Sequence, residues 1–201
     1  MNINININKN SGFTLVEISI VLVIIGLLIG GVLKGQEMIN NAKINRIASD
    51  FESVAAAIFS YQDRYRTLPG DDNRANARWG TGVVNGNSNG TVTGGWSSTT
   101  NTDESRIFWQ HLRNSNMVPG AGTGADSYAQ PKNSYGGIIG VQVNAYGMSG
   151  IVVCMSNITG PNAEIIDNKL DDGIPSTGSV RVSTTLTAYA AASTYNMCRK
   201  L

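Results

Sequence analysis

The 201 residues carry 15 Lys and Arg against 14 Asp and Glu, a formal net charge of +1, and 41% of them are hydrophobic. That balance argues against a dedicated nucleic-acid or anionic-lipid surface, which needs clustered cations. A single histidine, with no Gly-rich phosphate loop before a helix and no nucleophile motif, points away from catalysis.

Residues 1–12, MNINININKNSG, alternate Asn and Ile and resemble no folded element. The next stretch, residues 13–33, FTLVEISIVLVIIGLLIGGVL, is apolar apart from one charge, Glu17. As a helix, its roughly 21 residues at about 1.5 Å each reach about 31 Å, enough to cross a hydrocarbon core. A carboxylate at membrane depth is costly, about 2.5–3.5 kcal/mol on insertion scales, and usually has a partner and a task. The nearest upstream cation is Lys9, outside the apolar run. Cleavage between Gly12 and Phe13 would create an ammonium group at Phe13, about one helical turn from Glu17. In a staggered bundle, Glu17 of one copy would meet the Phe13 amine of the next.

The string Lys9-Asn10-Ser11-Gly12, then Phe13-Thr14-Leu15-Val16-Glu17 and an unbroken apolar helix, resembles the class III prepilin signature of type IV pilins and type II secretion pseudopilins. A secretory signal peptide places its cleavage site after the apolar region, whereas here it precedes that region and the helix stays in the product. The resemblance implies removal of residues 1–12 by a prepilin peptidase, N-methylation of Phe13, and a role for Glu17 in assembly. It implies an α+β, pilin-like fold: a long N-terminal helical stalk packed against a small C-terminal antiparallel sheet with long loops. It also implies a single-pass inner-membrane precursor, inner-membrane assembly machinery as partner, and a homo-oligomeric helical filament. That filament is an extracellular pilus or a periplasmic pseudopilus. One departure stands out. Many relatives carry a helix-kinking proline in the second half of this segment, where Gly26, Gly30, Gly31, Lys34 and Gly35 stand here. Numbered from Met1, the chain is expected to be the unprocessed precursor. Lys9 on one side of the helix and Lys34, Lys43 and Arg46 on the other do not set its orientation. Orientation rests on the resemblance and on the cysteines.

After the apolar run, residues 34–68 continue the helix in amphipathic form to about Arg66. Ile47, Phe51, Val54, Ile58, Tyr61 and Tyr65 recur at spacings of three and four, and Leu68-Pro69-Gly70 stops them. Residues 69–201 form the globular head. From Gly70 to Thr102 the chain is loop-rich. Within it Asn85, Asn87, Asn89 and Gly90 echo the start of an EF-type calcium loop, but Trp96 stands where that loop needs a bidentate Glu. Tight turns explain the Asn-Gly pairs better. Thr102 is the expected N-cap of a short helix with Ile107, Phe108 and Leu112 as its apolar face. His111, beside Trp109, reads as a satisfied histidine without a catalytic role.

Ile139, Val141 and Val143 alternate as a half-buried strand does; residues 144–150 read as a turn, and residues 151–155 as a buried strand. Pro161 is expected to start a helix through Leu170, with Ala163, Ile165 and Ile166 apolar. Val180 and Val182 mark a third strand, and the tail from Thr187 is held by Cys198. Cys154 and Cys198 form a sparse, even pair, expected to be one disulfide in an exported chain; buried free thiols or a metal pair are the alternatives. A bridged loop of about 45 residues would add roughly 4 kcal/mol in the chain-entropy model. Asp167, Asp171 and Asp172 are calcium candidates, as C-terminal loops of some pseudopilins are, although Asx turns and capping account for them more simply. No other cofactor is expected. Trp79, Trp96, Tyr128 and Tyr135 lie in loop regions, where they pack the loops or, in an adhesin, contact sugars.

Overall fold

The computed structural model describes residues 12–201. The expected leader up to Ser11, Lys9 included, lies outside the described residues. The chain divides into two compact units, residues 1–42 and residues 43–201. A single long helix, α1 (Leu15–Tyr65), contributes to both.

In the first unit α1 passes through Gly26, Gly30, Gly31 and Gly35 without interruption. Its most apolar 18-residue window has a mean hydropathy of 2.7, and none of that window is buried. Leu15 is 88% exposed and Leu27 73%. This part of the helix is long and apolar enough to cross a membrane and has no core of its own among the described residues.

In the second unit the amphipathic stripe buries Ile47, Phe51, Val54, Ile58 and Tyr61, while Tyr65 is half-buried. The helix ends at Arg66, whose φ of 59° takes the left-handed conformation that stops an α-helix while its N–H donates to the Gln62 carbonyl. The Gly70–Thr102 stretch contains one turn of helix that the sequence reading lacked, α2 (Ala75–Trp79). Its five residues are too few to show a period. Next comes α3 (Glu104–Asn114), whose N-cap is Asp103 and not Thr102. Asp103 makes no capping bond; its Oδ2 accepts from the Ser98 hydroxyl at 2.6 Å instead. The expected single apolar face also needs correction. Trp109, Gln110, His111 and Arg113 are buried along with Ile107, Phe108 and Leu112, so α3 is enclosed nearly all round.

A 3₁₀ turn (Ala125–Tyr128) precedes the sheet. The hairpin comprises β1 (Ile139–Ala145) and β2 (Met148–Thr159), antiparallel, with Val141 opposite Val153. The connecting turn is shorter than residues 144–150, and β2 is longer at both ends than residues 151–155. Tyr146 (φ 47°) and Gly147 (φ 73°) both adopt left-handed conformations, which lets the two strands turn back within two residues. Then come α4 (Gly160–Leu170), β3 (Val180–Arg181) and β4 (Thr194–Lys200). Ile165, expected on the apolar face of α4, is 47% exposed. The described strands form one sheet in the order β1-β2-β4-β3. The tail is therefore an interior strand, β4, which the sequence reading lacked. Cys154 on β2 pairs directly opposite Cys198 on β4, and a disulfide joins them. The core brings the α1 stripe together with Phe108, Trp109 and Leu112 of α3 and with Val141, Val153, Met155 and Met197 of the sheet. Long N-terminal helix and small antiparallel sheet make this an α+β, pilin-like fold.

Candidate functional site

At the start of α1, Gly12 and Phe13 are exposed, and Phe13 is 84% accessible. Immediately after Phe13, Thr14 and Glu17 satisfy one another. The Thr14 N–H donates to Glu17 Oε2 at 2.8 Å, and the Thr14 hydroxyl donates to the same oxygen at 2.8 Å. In return the Glu17 N–H approaches Thr14 Oγ1 at 3.2 Å. This reciprocal arrangement is a capping box, which satisfies donors that a helix N-terminus otherwise leaves open. It also puts the carboxylate at the positive end of the helix dipole. Glu17 thus has a partner inside its own chain, which the search for a nearby cation missed. The signal was present as Thr14-Leu15-Val16-Glu17, a Thr three residues before a Glu at the head of an apolar run.

Further along the same helix, added Cβ atoms on Gly26, Gly30, Gly31 and Gly35 would meet nothing within 4 Å. These glycines leave flat, open backbone on a surface that is otherwise Ile, Leu and Val.

In the second unit Asp167, Asp171 and Asp172 place carboxylate oxygens within 4.8 Å of one another. Each has local work. Asp171 Oδ2 accepts from the backbone N–H groups of Ser179 and Val180. Asp172 accepts from Ile174 N at 2.9 Å and from the Thr177 hydroxyl at 2.5 Å, and these bonds hold its carboxyl below the usual range. Asp167 is fully buried; its Oδ2 accepts from the Tyr189 hydroxyl at 2.7 Å and its Oδ1 has no partner. Burial pushes the Asp167 carboxyl up to about 6, the Tyr189 bond opposes this, and the charges of Asp172 and Asp171 add to it. The cluster can hold a hard divalent cation through oxygen, with Asp167 Oδ1 as the oxygen left unmatched.

The Asn85–Gly90 echo of a calcium loop resolves into local turns. Asn85 Oδ1 accepts from Asn76 N at 2.8 Å, Asn87 Oδ1 from Asn89 N at 3.0 Å, and Asn89 Oδ1 from Thr91 N at 3.0 Å. Each amide oxygen faces backbone instead of a common centre.

Sequence reasoning also missed a buried polar network that fixes this loop. Asp71 accepts from the N–H groups of Asn89 and Gly90, both at 2.8 Å. Asp72 accepts from the Tyr61 hydroxyl at 2.7 Å and pairs with Arg78. Glu104 accepts from Asn87 N at 3.0 Å and Thr93 N at 2.9 Å. The signal lay in adjacent acids directly after Leu68-Pro69-Gly70, where a solvated turn needs none. Of the loop aromatics, Trp79 packs with Tyr61 and Tyr65, and Trp96 packs beside the disulfide. Tyr135 carries Lys43 over its ring at 5.6 Å, and Tyr128 is half-buried.

Residues 7–33 match the model of the prokaryotic N-terminal methylation motif. No curated protein and no solved structure matches the chain.

Proposed function

We propose that this chain, whose residues 7–33 carry the class III prepilin signal of the type IV pilin and pseudopilin family, is a structural subunit of a helical filament. Prepilin peptidase removes residues 1–12 by cutting between Gly12 and Phe13, and Phe13 is N-methylated. Residues 13–33 hold the precursor in the inner membrane as a single span. Residues 34–68 continue the helix, and residues 69–201 form the exported head. Assembly machinery then transfers the helix from lipid into a bundle of identical helices.

The observation that carries this reading is the exposed apolar surface of α1 over residues 15–33, interrupted by one carboxylate in a capping box. Such a surface needs either lipid or other helices around it. In lipid no hydrophobic gain drives helices together, so close backbone approach decides. The open glycines at 26, 30, 31 and 35 supply it. The Thr14 donors offset part of the cost of carrying the Glu17 carboxylate into the membrane. After cleavage the Phe13 ammonium becomes available. Glu17 of one subunit then pairs with the Phe13 amine of the next, which sets the axial register. Contacts of this head-to-tail kind do not close and so build an open fibre.

Within this class we favour an extracellular pilus, because the long Gly/Asn-rich loop is pinned to the head by dedicated carboxylates and suits a decorated surface. The acidic cluster at Asp167, Asp171 and Asp172 favours the second reading, a pseudopilin in a short periplasmic pseudopilus that uses calcium. The test is to shear cells and examine the released material by electron microscopy and intact-mass spectrometry. Long fibres of a chain beginning at N-methylated Phe13 are expected. The processed chain confined to the envelope, with no fibres released, would shift the assignment to a pseudopilin or minor subunit.

A further inference from the structure

We propose that Phe59 of one copy of this chain seats in an apolar pocket on the second unit of the next copy, and that this contact repeats along the filament. It rests on the filament reading and adds to it a specific contact between the folded units. Phe59 is 59% exposed, and within residues 43–201 it is the one aromatic side chain left exposed. Its helix neighbours three and four residues away, Ala55, Ala56, Gln62 and Asp63, are small or polar and leave the ring uncovered. Such a ring gains from burial against a partner.

The pocket opens between α1, the end of α3 and the start of β1, with a volume of about 320 Å³. That is room for a single aromatic side chain and too little for a folded segment. Val54, Met117, Val118, Pro119, Pro131 and Ile139 form its apolar wall. Met117, Val118 and Pro131 are half-buried and Pro119 is exposed, so the wall is accessible from outside. Ring and pocket do not meet within one chain. Arg46, Asp50, Ser53 and Val54 line the pocket from α1. With 3.6 residues per turn, Phe59 lies roughly 120–180° around the helix from each of them. The occupant that brings Phe59 to the pocket is therefore another copy. Because the two features face apart, a closed pair that satisfies both at once is disfavoured. The contact is head-to-tail and propagates, as an open fibre requires. Charge is complementary too. Asp63, one turn beyond Phe59, has a side chain 85% exposed and lies only loosely beside Arg66, at 3.7 Å. Lys132 is exposed at the pocket, and among the described residues it has no carboxylate at ion-pair distance. With Phe59 seated, Asp63 of the incoming copy pairs with Lys132. The contact is small and acts once helix packing has raised the local concentration of copies.

The test uses the full chain in cells that assemble it, with p-benzoylphenylalanine placed at position 59 in a fraction of the copies. Sheared fibres are irradiated, and the adducts are separated by size and mapped by mass spectrometry. Adducts between chains, onto residues 117–119, are expected. Adducts elsewhere on a second copy, or none larger than a single chain, overturn the contact. Phe59→Ala, at an exposed position, is expected to leave thermal unfolding unchanged and to cut fibre yield several-fold. An undiminished yield overturns the contact as well. Asp63→Lys and Lys132→Asp are each expected to lower fibre yield, and their combination to restore it. A combination no better than either single change overturns the charge pairing. If the unmodified chain releases no fibres, the filament reading fails and this contact with it; fibres without the adduct sink the contact alone.

Discussion

The imidazole of His111 accepts a hydrogen bond from the Gly70 N–H at 3.0 Å and faces the Val84 carbonyl at 2.7 Å. One nitrogen must be bare and the other protonated, so the ring is neutral. Burial lowers its pKa to about 4, a fall that the Val84 bond opposes in part. Between that value and an unfolded value of about 6.5 the unfolded chain binds more protons than the native one, so stability rises with pH. The contribution is complete above about pH 6.5 and is lost as pH falls toward 4, with a span on the order of 3 kcal/mol. His111→Gln offers one acceptor and one donor without titrating. Its denaturation free energy is expected to fall less steeply across this window than that of the unmodified chain. Parallel slopes would show that His111 is not the titrating group. Glu17 poses a different question at this scale. Glu17→Ala removes the capping bonds and the proposed pairing with Phe13, yet leaves the Gly12–Phe13 peptide bond intact. Processing is expected to continue while incorporation into filaments drops. Normal filament yield from this variant would sink the register role.

The loop between α1 and α3 is held by acceptors at its two ends in addition to the buried apolar side chains of Val83 and Val92. Asp71 receives two backbone N–H groups and is 2% exposed. Asp71→Ala strips both donors of their partner, at a cost of about 1–3 kcal/mol. We expect limited proteolysis of this variant to cut first within residues 85–95, with the sheet still protected. Cleavage elsewhere first would argue that the loop is pinned by something other than Asp71. The sheet depends instead on a covalent tie. Cys154 and Cys198, 44 residues apart, join the long strand β2 to the C-terminal strand β4. Replacing both with serine is expected to cost about 2–4 kcal/mol in chemical denaturation. Because both side chains are fully buried, reduction should require prior opening of the sheet. Rapid reaction of the native protein with a mild reductant would contradict that placement.

The two units differ in what they bury. In residues 43–201 the helix residues Ile44, Ile47, Phe51, Val54, Ile58 and Tyr61 all enter the core. At about 1.5–3 kcal/mol for each buried apolar side chain, their sum is comparable to the 5–15 kcal/mol that typically separates a folded domain from its unfolded state. A chain beginning at Lys43 is therefore expected to unfold cooperatively in the absence of detergent. A chain beginning at Leu68 is expected to lack cooperative unfolding and near-ultraviolet dichroism. If the shorter chain folded equally well, the α1 stripe would be dispensable. The described part of residues 1–42 makes no such core, so its stability must come from lipid or from other copies of the helix.

By itself the sequence was enough for the main features set by neighbours along the chain, although the N-cap of α3 and the bounds of the β1–β2 turn fell elsewhere. The apolar run of residues 13–33 shows in composition, and the stripe from Ile47 to Tyr65 shows in its period. Pro69 and Gly70 mark the end of the helix, and the alternation from Ile139 to Val143 marks a strand. The Thr14–Glu17 capping box belongs to the same class and was legible at a spacing of three. Tertiary structure decided whatever depends on partners distant in sequence. Thr194–Lys200 has no apolar alternation of its own; it is a strand because β2 and β3 offer it edges on both sides. The polar residues of α3 are buried because loop carbonyls and N–H groups meet them, as at Gln110, which bonds Gly82, Val84 and Ser127. The Asn85 amide oxygen receives the Asn76 N–H from nine residues upstream, whereas Asn87 and Asn89 serve turns at a spacing of two, as their sequence suggests. The acids at Asp71, Asp72 and Glu104 are interior anchors whose partners lie as far along the chain as Gly90, Tyr61 and Thr93 respectively. The physical reason is common to every distant pair: a hydrogen bond or a strand pair is specified by both partners, and a linear sequence displays only one at a time.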